Sequence, residues 1–170
     1  VSNISSDIRL SNNIIKAINP AGDWNRGIRV DGGNAKIFNN IIYGFSTTAA
    51  GAHHYGIAAI NAGPSIYIYN NTIINSDYGI SGPIGVNTSK NNIVQGATDA
   101  GYQWSSAASD YNISNLADAP GANSKNSTTV SFVDAANGDF RLASGDTAAK
   151  NAGADLSADL LKVGHHGSKY

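Results

Sequence analysis

The chain contains no cysteine, no methionine and no glutamate. Without cysteine there is no disulfide framework and no thiolate chemistry. Without glutamate, strong helix formers are scarce, and every one of the twelve acids is aspartate. No apolar run approaches the length of a membrane-spanning helix, so no membrane insertion is expected. Charge of one sign is also lacking. Eleven Lys and Arg stand against the twelve acids, a net charge of −1, which argues against a nucleic-acid-binding surface. Position 1 is Val and no signal-peptide pattern is seen, so we expect a processed or excised piece of a longer protein.

What the chain has instead is Asn, Ser, Gly, Thr and Ile, a composition of strands and turns. Its 170 residues suffice for one domain with a real core. Asn pairs begin at Asn12, Asn39, Asn70 and Asn91, each leading into a branched apolar run: "NNIIKAI", "NNIIYGF", "NNTIINS" and "NNIVQGA". A second marker, Gly followed by an apolar residue, falls at Gly27, Gly56, Gly79 and Gly101. The two markers alternate in step along the chain. Aligned on the first Asn, they give apolar columns: Ile15, Ile42, Ile73 and Val94 after it; Leu10, Ile37, Ile68 and Ser89 before it. The Gly marker adds Ile28, Ile57, Ile80 and Tyr102. Each short segment alternates with period two, as a strand with one buried face does.

Repeats of roughly 20–30 residues, made of short strands with like residues in register, describe a parallel β-helix. Successive coils pair in parallel about 4.8 Å apart, and stacking buries an apolar face that no coil can bury alone. Asn belongs at the corners because it tolerates the left-handed backbone a sharp turn demands. Stacked Asn side chains also bond from coil to coil as a ladder. Helical repeats are excluded by the absence of a sustained 3.6-residue period.

"NNIIYG" and "NNTIINS" resemble the repeat unit of right-handed parallel β-helix proteins of the pectate-lyase-like type. "SDYNIS" (109–114) and "SFVDAANGDFRLASGDTAAKNAGADLS" (131–157) resemble the closing region of bacterial extracellular members. The expected fold is therefore all-β: a single right-handed parallel β-helix, or solenoid, of about five coils with an irregular C-terminal cap. One domain spans 1–157, its capping segment beginning near residue 109, and 158–170 form a tail. Phe132–Val133 and Phe140–Leu142 are expected as short strands and "DTAAKNAG" as one helical turn closed by Gly153, together covering the open end. Within the tail, "KVGHHGS" resembles a stretch of competence-type metallo-β-lactamase-fold proteins, but no partner "HxHxDH" motif is present. No metal site and no cofactor are expected.

Two places carry candidate chemistry. Outward strand positions before the Asn pairs give one column of Arg9, Lys36, Tyr67 and Thr88 and a second of Ser11, Phe38, Tyr69 and Lys90. Basic and aromatic residues on a flat sheet suit sugar rings and uronate carboxylates, although strand propensity alone also explains them. The insertions 19–27 and 46–56 are expected side by side, gathering Asp23, Trp24, Arg26, His53, His54 and Tyr55 at one rim. Trp24 and Tyr55 join the binding candidates. Asp23, Arg26, His53 and His54 are the catalytic candidates, as proton acceptors and anion stabiliser for β-elimination of a uronate. Adjacent His residues on an extended backbone point opposite ways, which argues against joint metal binding. The active-site signatures of polygalacturonases, pectate lyases and mannuronan epimerases are absent, and no cluster of paired acids appears.

Three functions remain open. The first is a polysaccharide-binding or surface domain of a secreted or cell-surface bacterial protein, its partner a polysaccharide, with acidic ones included. The second is the C-terminal part of a polysaccharide lyase or related enzyme. The third is a structural solenoid that self-associates through an uncapped N-terminal end.

Overall fold

The structure, a computed structural model, describes residues 7–18, 20, 22–47, 51–60, 65–83, 85 and 87–156. The metallo-β-lactamase-like stretch with His165 and His166 lies outside the described residues. Strands β1 (Asp7–Ser11), β2 (Ile14–Lys16), β3 (Arg26–Asp31), β4 (Asn34–Phe38), β5 (Ile41–Phe45), β6 (Tyr55–Ile60) and β7 (Ile66–Tyr69) cover the first part. The longer β8 (Thr72–Ser81) is followed by β9 (Asn87–Lys90), β10 (Ile93–Gln103) and the short β11 (Ile113–Ser114). The fold is all-β with parallel sheets. One sheet runs β1-β4-β7-β9; the other runs β2-β5-β8-β10-β11, with β3 and β6 pairing alongside it onto the second half of β8.

The registers follow the sequence columns. Ile15, Ile42, Ile73 and Val94 lie over one another, as do Leu10, Ile37, Ile68 and Ser89. So do Ile28, Ile57, Ile80 and Tyr102. Side chains from both sheets share one core in which Ile37, Ile42, Ile57, Ile66, Ile68 and Ile73 are fully buried. Each contributes about 1.5–3 kcal/mol of burial. The Gly marker has a steric cause: a methyl group at Gly56 would clash with the coil beside it.

 In atoms, that methyl would meet Ile73 Cγ2 at 2.5 Å and the Gly79 carbonyl oxygen at 2.8 Å, and one at Gly27 would meet the Gly56 carbonyl oxygen at 2.7 Å. Only glycine lets the backbone pass so close to the neighbouring coil.

The two members of each Asn pair divide the work. The first takes the left-handed corner, with φ of 61°, 57°, 55° and 57° at Asn12, Asn39, Asn70 and Asn91; Tyr111 continues the column at 57°. The second builds the ladder: the backbone and side-chain N–H groups of Asn40 donate to Asn71 Oδ1 (3.0 and 2.9 Å), and those of Asn71 donate to Asn92 Oδ1 (both 3.0 Å). Asn92 repeats this onto Asn112. These side chains are buried, and each also donates to strand carbonyls, so the ladder leaves few polar groups unpaired.

The C-terminal segment departs from expectation. The last pass is closed by residues 113–127: Ser114 N–H donates to the Lys125 carbonyl, and the Asp118 carboxylate accepts from the N–H groups of Gly101 (2.6 Å) and Tyr102 (3.2 Å). Residues 130–156 do not cover an open end but run back along the flank. The strands at Phe132 and Phe140 form as an antiparallel pair, β12 (Phe132–Asp134) and β13 (Asp139–Leu142). Phe140 meets Tyr43 edge-on at 4.9 Å, and Val130 N–H donates to Gln95 Oε1 at 2.7 Å. Further on, Asn91 and Ala154 exchange two hydrogen bonds of 2.8 Å, and Leu156 packs on Phe38 and Tyr69. Outward aromatic side chains offered this segment an apolar seat that the end of the stack did not. The expected helical turn is a non-helical turn: Asp146 accepts from the N–H groups of Ser131, Ala149 and Lys150, and the left-handed residue is Asn151, not Gly153.

Candidate functional site

Two strand columns and the turns beside them make the site. Tyr55 and Tyr78 occupy one column with Arg26, and Ala58, Ser81 and Gln103 occupy another. Outward tyrosines one pairing step apart have no choice but to stack: Tyr55 and Tyr78 lie 4.8 Å apart with an interplanar angle of 17°. Trp24 extends the pile onto Tyr55 at 6.2 Å and 11°. The Arg26 guanidinium lies 5.6 Å from the Trp24 ring and 5.4 Å from the Tyr55 ring, and donates to the Trp24 carbonyl at 3.2 Å.

Where the second column is small, at Ala58 and Ser81, the surface sinks into a groove of about 330 Å³. Trp24, Arg26 and Tyr55 form one end, and Gln103 and Trp104 the other. Ser81 Oγ donates to Gln103 Oε1 at 2.8 Å, which orients the amide and leaves its nitrogen to the groove. Both indoles face water, Trp24 54% and Trp104 53% exposed. Trp104 also has a φ of 57°, a conformation a bulky residue adopts at a cost of about 1–3 kcal/mol.

The described parts of the two insertions do lie side by side, with His53 N–H on the Asp23 carbonyl (2.8 Å) and Tyr55 N–H on the Asn25 carbonyl (2.9 Å). Trp24, Arg26, His53 and Tyr55 come together as expected; Asp23 and His54 do not join them. Asp23 is exposed and supplies a backbone carbonyl to the pairing, while the carboxylate of the cluster is Asp99, 3.7 Å from His53 Nδ1. His54 is fully buried, its Nε2 2.9 Å from the Gly22 carbonyl oxygen, so it holds a turn and touches no solvent. His53 supports Trp24 (5.1 Å) and Tyr78 (5.4 Å) and is not part of the groove lining. Burial first, then the charge of Asp99, raises the Tyr78 hydroxyl above its ordinary pKa; at Tyr55 burial does the same, opposed by Arg26. Both are neutral phenols at neutral pH.

The columns of the other sheet are in the expected register but not equally exposed. Arg9, Lys36 and Tyr67 face outward. Phe38 and Tyr69 are buried beneath Leu156 and so are unavailable to a ligand, and Arg9 lies 4.8 Å over the Phe38 ring. Lys90 stands near Asp110, whose carboxyl is held below its ordinary range: burial opposes this, but hydrogen bonds from Asn123 and Tyr111 and the Lys90 charge prevail. Among the described residues no group of three or more His, Cys, Asp or Glu is placed to hold a metal ion. Ser81, Asp99, Gln103 and Trp104 were not singled out by the sequence. Compared with known proteins, this chain matches no family model, no curated protein and no solved structure.

Proposed function

We propose that the chain is a right-handed parallel β-helix domain that binds polysaccharide across the groove between Trp24 and Trp104, as part of a secreted or cell-surface bacterial protein. The in-register columns, the Asn ladder and the alternating return to two parallel sheets support the architecture. The observation that carries the binding function is the pair of exposed indoles at opposite ends of one shallow groove, one of them on a strained backbone. Sugar rings present flat C–H faces to indoles, and hydroxyls to Gln103 and Tyr55. The indoles flank strands three pairing steps apart, Trp24 before β3 and Trp104 after β10, so they are separated across the strands by roughly 14 Å at about 4.8 Å a step, a span for a short run of sugar rings rather than one. Among the described residues the groove lining holds no carboxylate and no imidazole, so the reading is of binding rather than of turnover.

Affinity electrophoresis in gels containing a panel of polysaccharides tests this. Retardation that disappears in Trp104→Ala and persists in Lys36→Ala with Tyr67→Ala is expected; retardation lost only in the second pair would move the site to the other sheet. A separate observation favours self-association as a second reading. The outer edges of β1, β2 and β3 have no strand partner among the described residues, and Ile14 and Ile18 there are 73% and 81% exposed. Sedimentation at rising concentration, with Ile14→Lys as the control, decides that point.

A further inference from the structure

We infer that the groove selects a glycan in which a single acidic sugar, placed at the Trp24 end, is flanked by uncharged ones. This rests on the polysaccharide-binding reading above and adds its substrate class.

Among the described residues the groove lining carries one charge, Arg26. No ion pair joins Arg26 to a carboxylate among the described residues, and its Nε is buried without a hydrogen-bond partner. A half-buried guanidinium held between two rings has lost water and gained no anion. A carboxylate or sulfate on a sugar stacked against Trp24 would supply the missing partner through a charge-assisted hydrogen bond.

The rest of the groove argues against a second anion. Arg29 sits in register with Ala58 of the floor, but it is paired with Asp31 at 2.5 Å. Asp99 stands 3.7 Å from His53 Nδ1, beside Tyr78, so a second anion placed beyond Tyr55 would meet a carboxylate. At the far end, Ile60, Pro83 and Trp104 offer apolar surface and Gln103 a neutral amide. A uniformly charged polymer would place its next carboxylates against those groups, with desolvation and no partner. A neutral polymer would leave Arg26 unpaired. The pattern of the lining therefore fits a heteropolysaccharide with sparse acids.

Three probes separate these cases: a neutral xylo-oligosaccharide, the same oligosaccharide bearing one glucuronate substituent, and a galacturonate oligomer of equal length. Binding is followed through tryptophan fluorescence and calorimetry on the whole chain. The singly acidic probe is expected to bind about tenfold more tightly than the neutral one, the gain of one charged hydrogen bond, and more tightly than the galacturonate oligomer. Arg26→Gln should bring the singly acidic and neutral probes to equal affinity, and Arg26→Lys should restore part of the difference. Raised salt should shrink the preference in the wild type alone.

Equal affinity for the first two probes in the wild type, or tightest binding of the galacturonate oligomer, overturns the inference but leaves the groove as a glycan site, provided Trp104→Ala still abolishes binding. Failure of all three probes to bind overturns both. Circular dichroism of Arg26→Gln guards against an unfolded variant.

Discussion

Two faces of this molecule carry outward aromatic residues, and they have opposite fates. On the β4-β7 face, Phe38 and Tyr69 are sealed under Leu156, with Ala154 fastened to Asn91. On the β3-β6-β8 face, Trp24, Tyr55 and Trp104 border a groove that no other part of the described chain covers. The first arrangement is what apolar surface does when a segment is within reach: it is removed from water. The second leaves indoles in water, and in one case on a strained backbone, with no gain in folding. The difference teaches that aromatic content alone does not mark a site; uncovered aromatic content does.

Variants can break this contrast in order of severity. Asn71→Ala should collapse both faces. It removes the acceptor of two Asn40 donors and three donated bonds, leaving several buried groups unpaired. A loss of about 3 kcal/mol or more is expected by urea denaturation, with the groove and flank signals lost together. Leu156→Ala should touch the covered face alone. About 2–3 kcal/mol is expected from the large-to-small change, with glycan affinity unaltered. An equal drop in affinity would show that the two faces communicate. Trp104→Gly should touch the open face alone: binding falls at least about tenfold, while stability rises by roughly 1 kcal/mol relative to Trp104→Ala because glycine accepts the positive φ. A Gly variant no more stable than the Ala variant would remove the strain argument for this position.

How much of this could be read beforehand differs between scaffold and site for a physical reason. The stacked core repeats, so Ile15, Ile42, Ile73 and Val94 announce their own register, and each Asn pair and Gly marker reports a local backbone need. The side-by-side insertions and the opposed directions of His53 and His54 were legible for the same reason, since pairing and alternation are local. Burial of Phe38 and Tyr69 was not legible. Their cover comes from a non-repeating segment, anchored by a bond between residues 63 apart in sequence. Asp99 escaped notice because it falls where β10 is irregular, between Ala97 and Ala100, and Trp104 because it lies just past the end of β10, outside every repeated column. The carboxylate beside His53 is Asp99, and the anticipated Asp23 supplies a backbone carbonyl instead.

The smallest expected effect is a difference in acid sensitivity between the faces. The segment that covers Phe38 and Tyr69 turns on Asp146, which is buried; burial works to raise its pKa, but the N–H groups of Ser131, Ala149 and Lys150 outweigh that and hold it below the ordinary value. Asp139, exposed on β13, is lowered to about 2 by Arg141. A carboxyl depressed in the folded state contributes stability that is fully present above its unfolded pKa, about 3.9, and lost as pH falls through the folded one. The flank should therefore loosen at acid pH while the groove, whose lining has no carboxyl group among the described residues, keeps its shape. Amide exchange at Ser131, Ala149 and Ala154, followed alongside tryptophan fluorescence as pH is lowered from about 6 to about 2, separates the two. Exchange should rise first at the flank, and Asp146→Asn should raise it already at neutral pH while removing most of its acid dependence. If the tryptophan signal and flank exchange change together, or if Asp146→Asn leaves the acid profile intact, the covering segment is held by its apolar contacts, and Leu156 rather than Asp146 is its fastening.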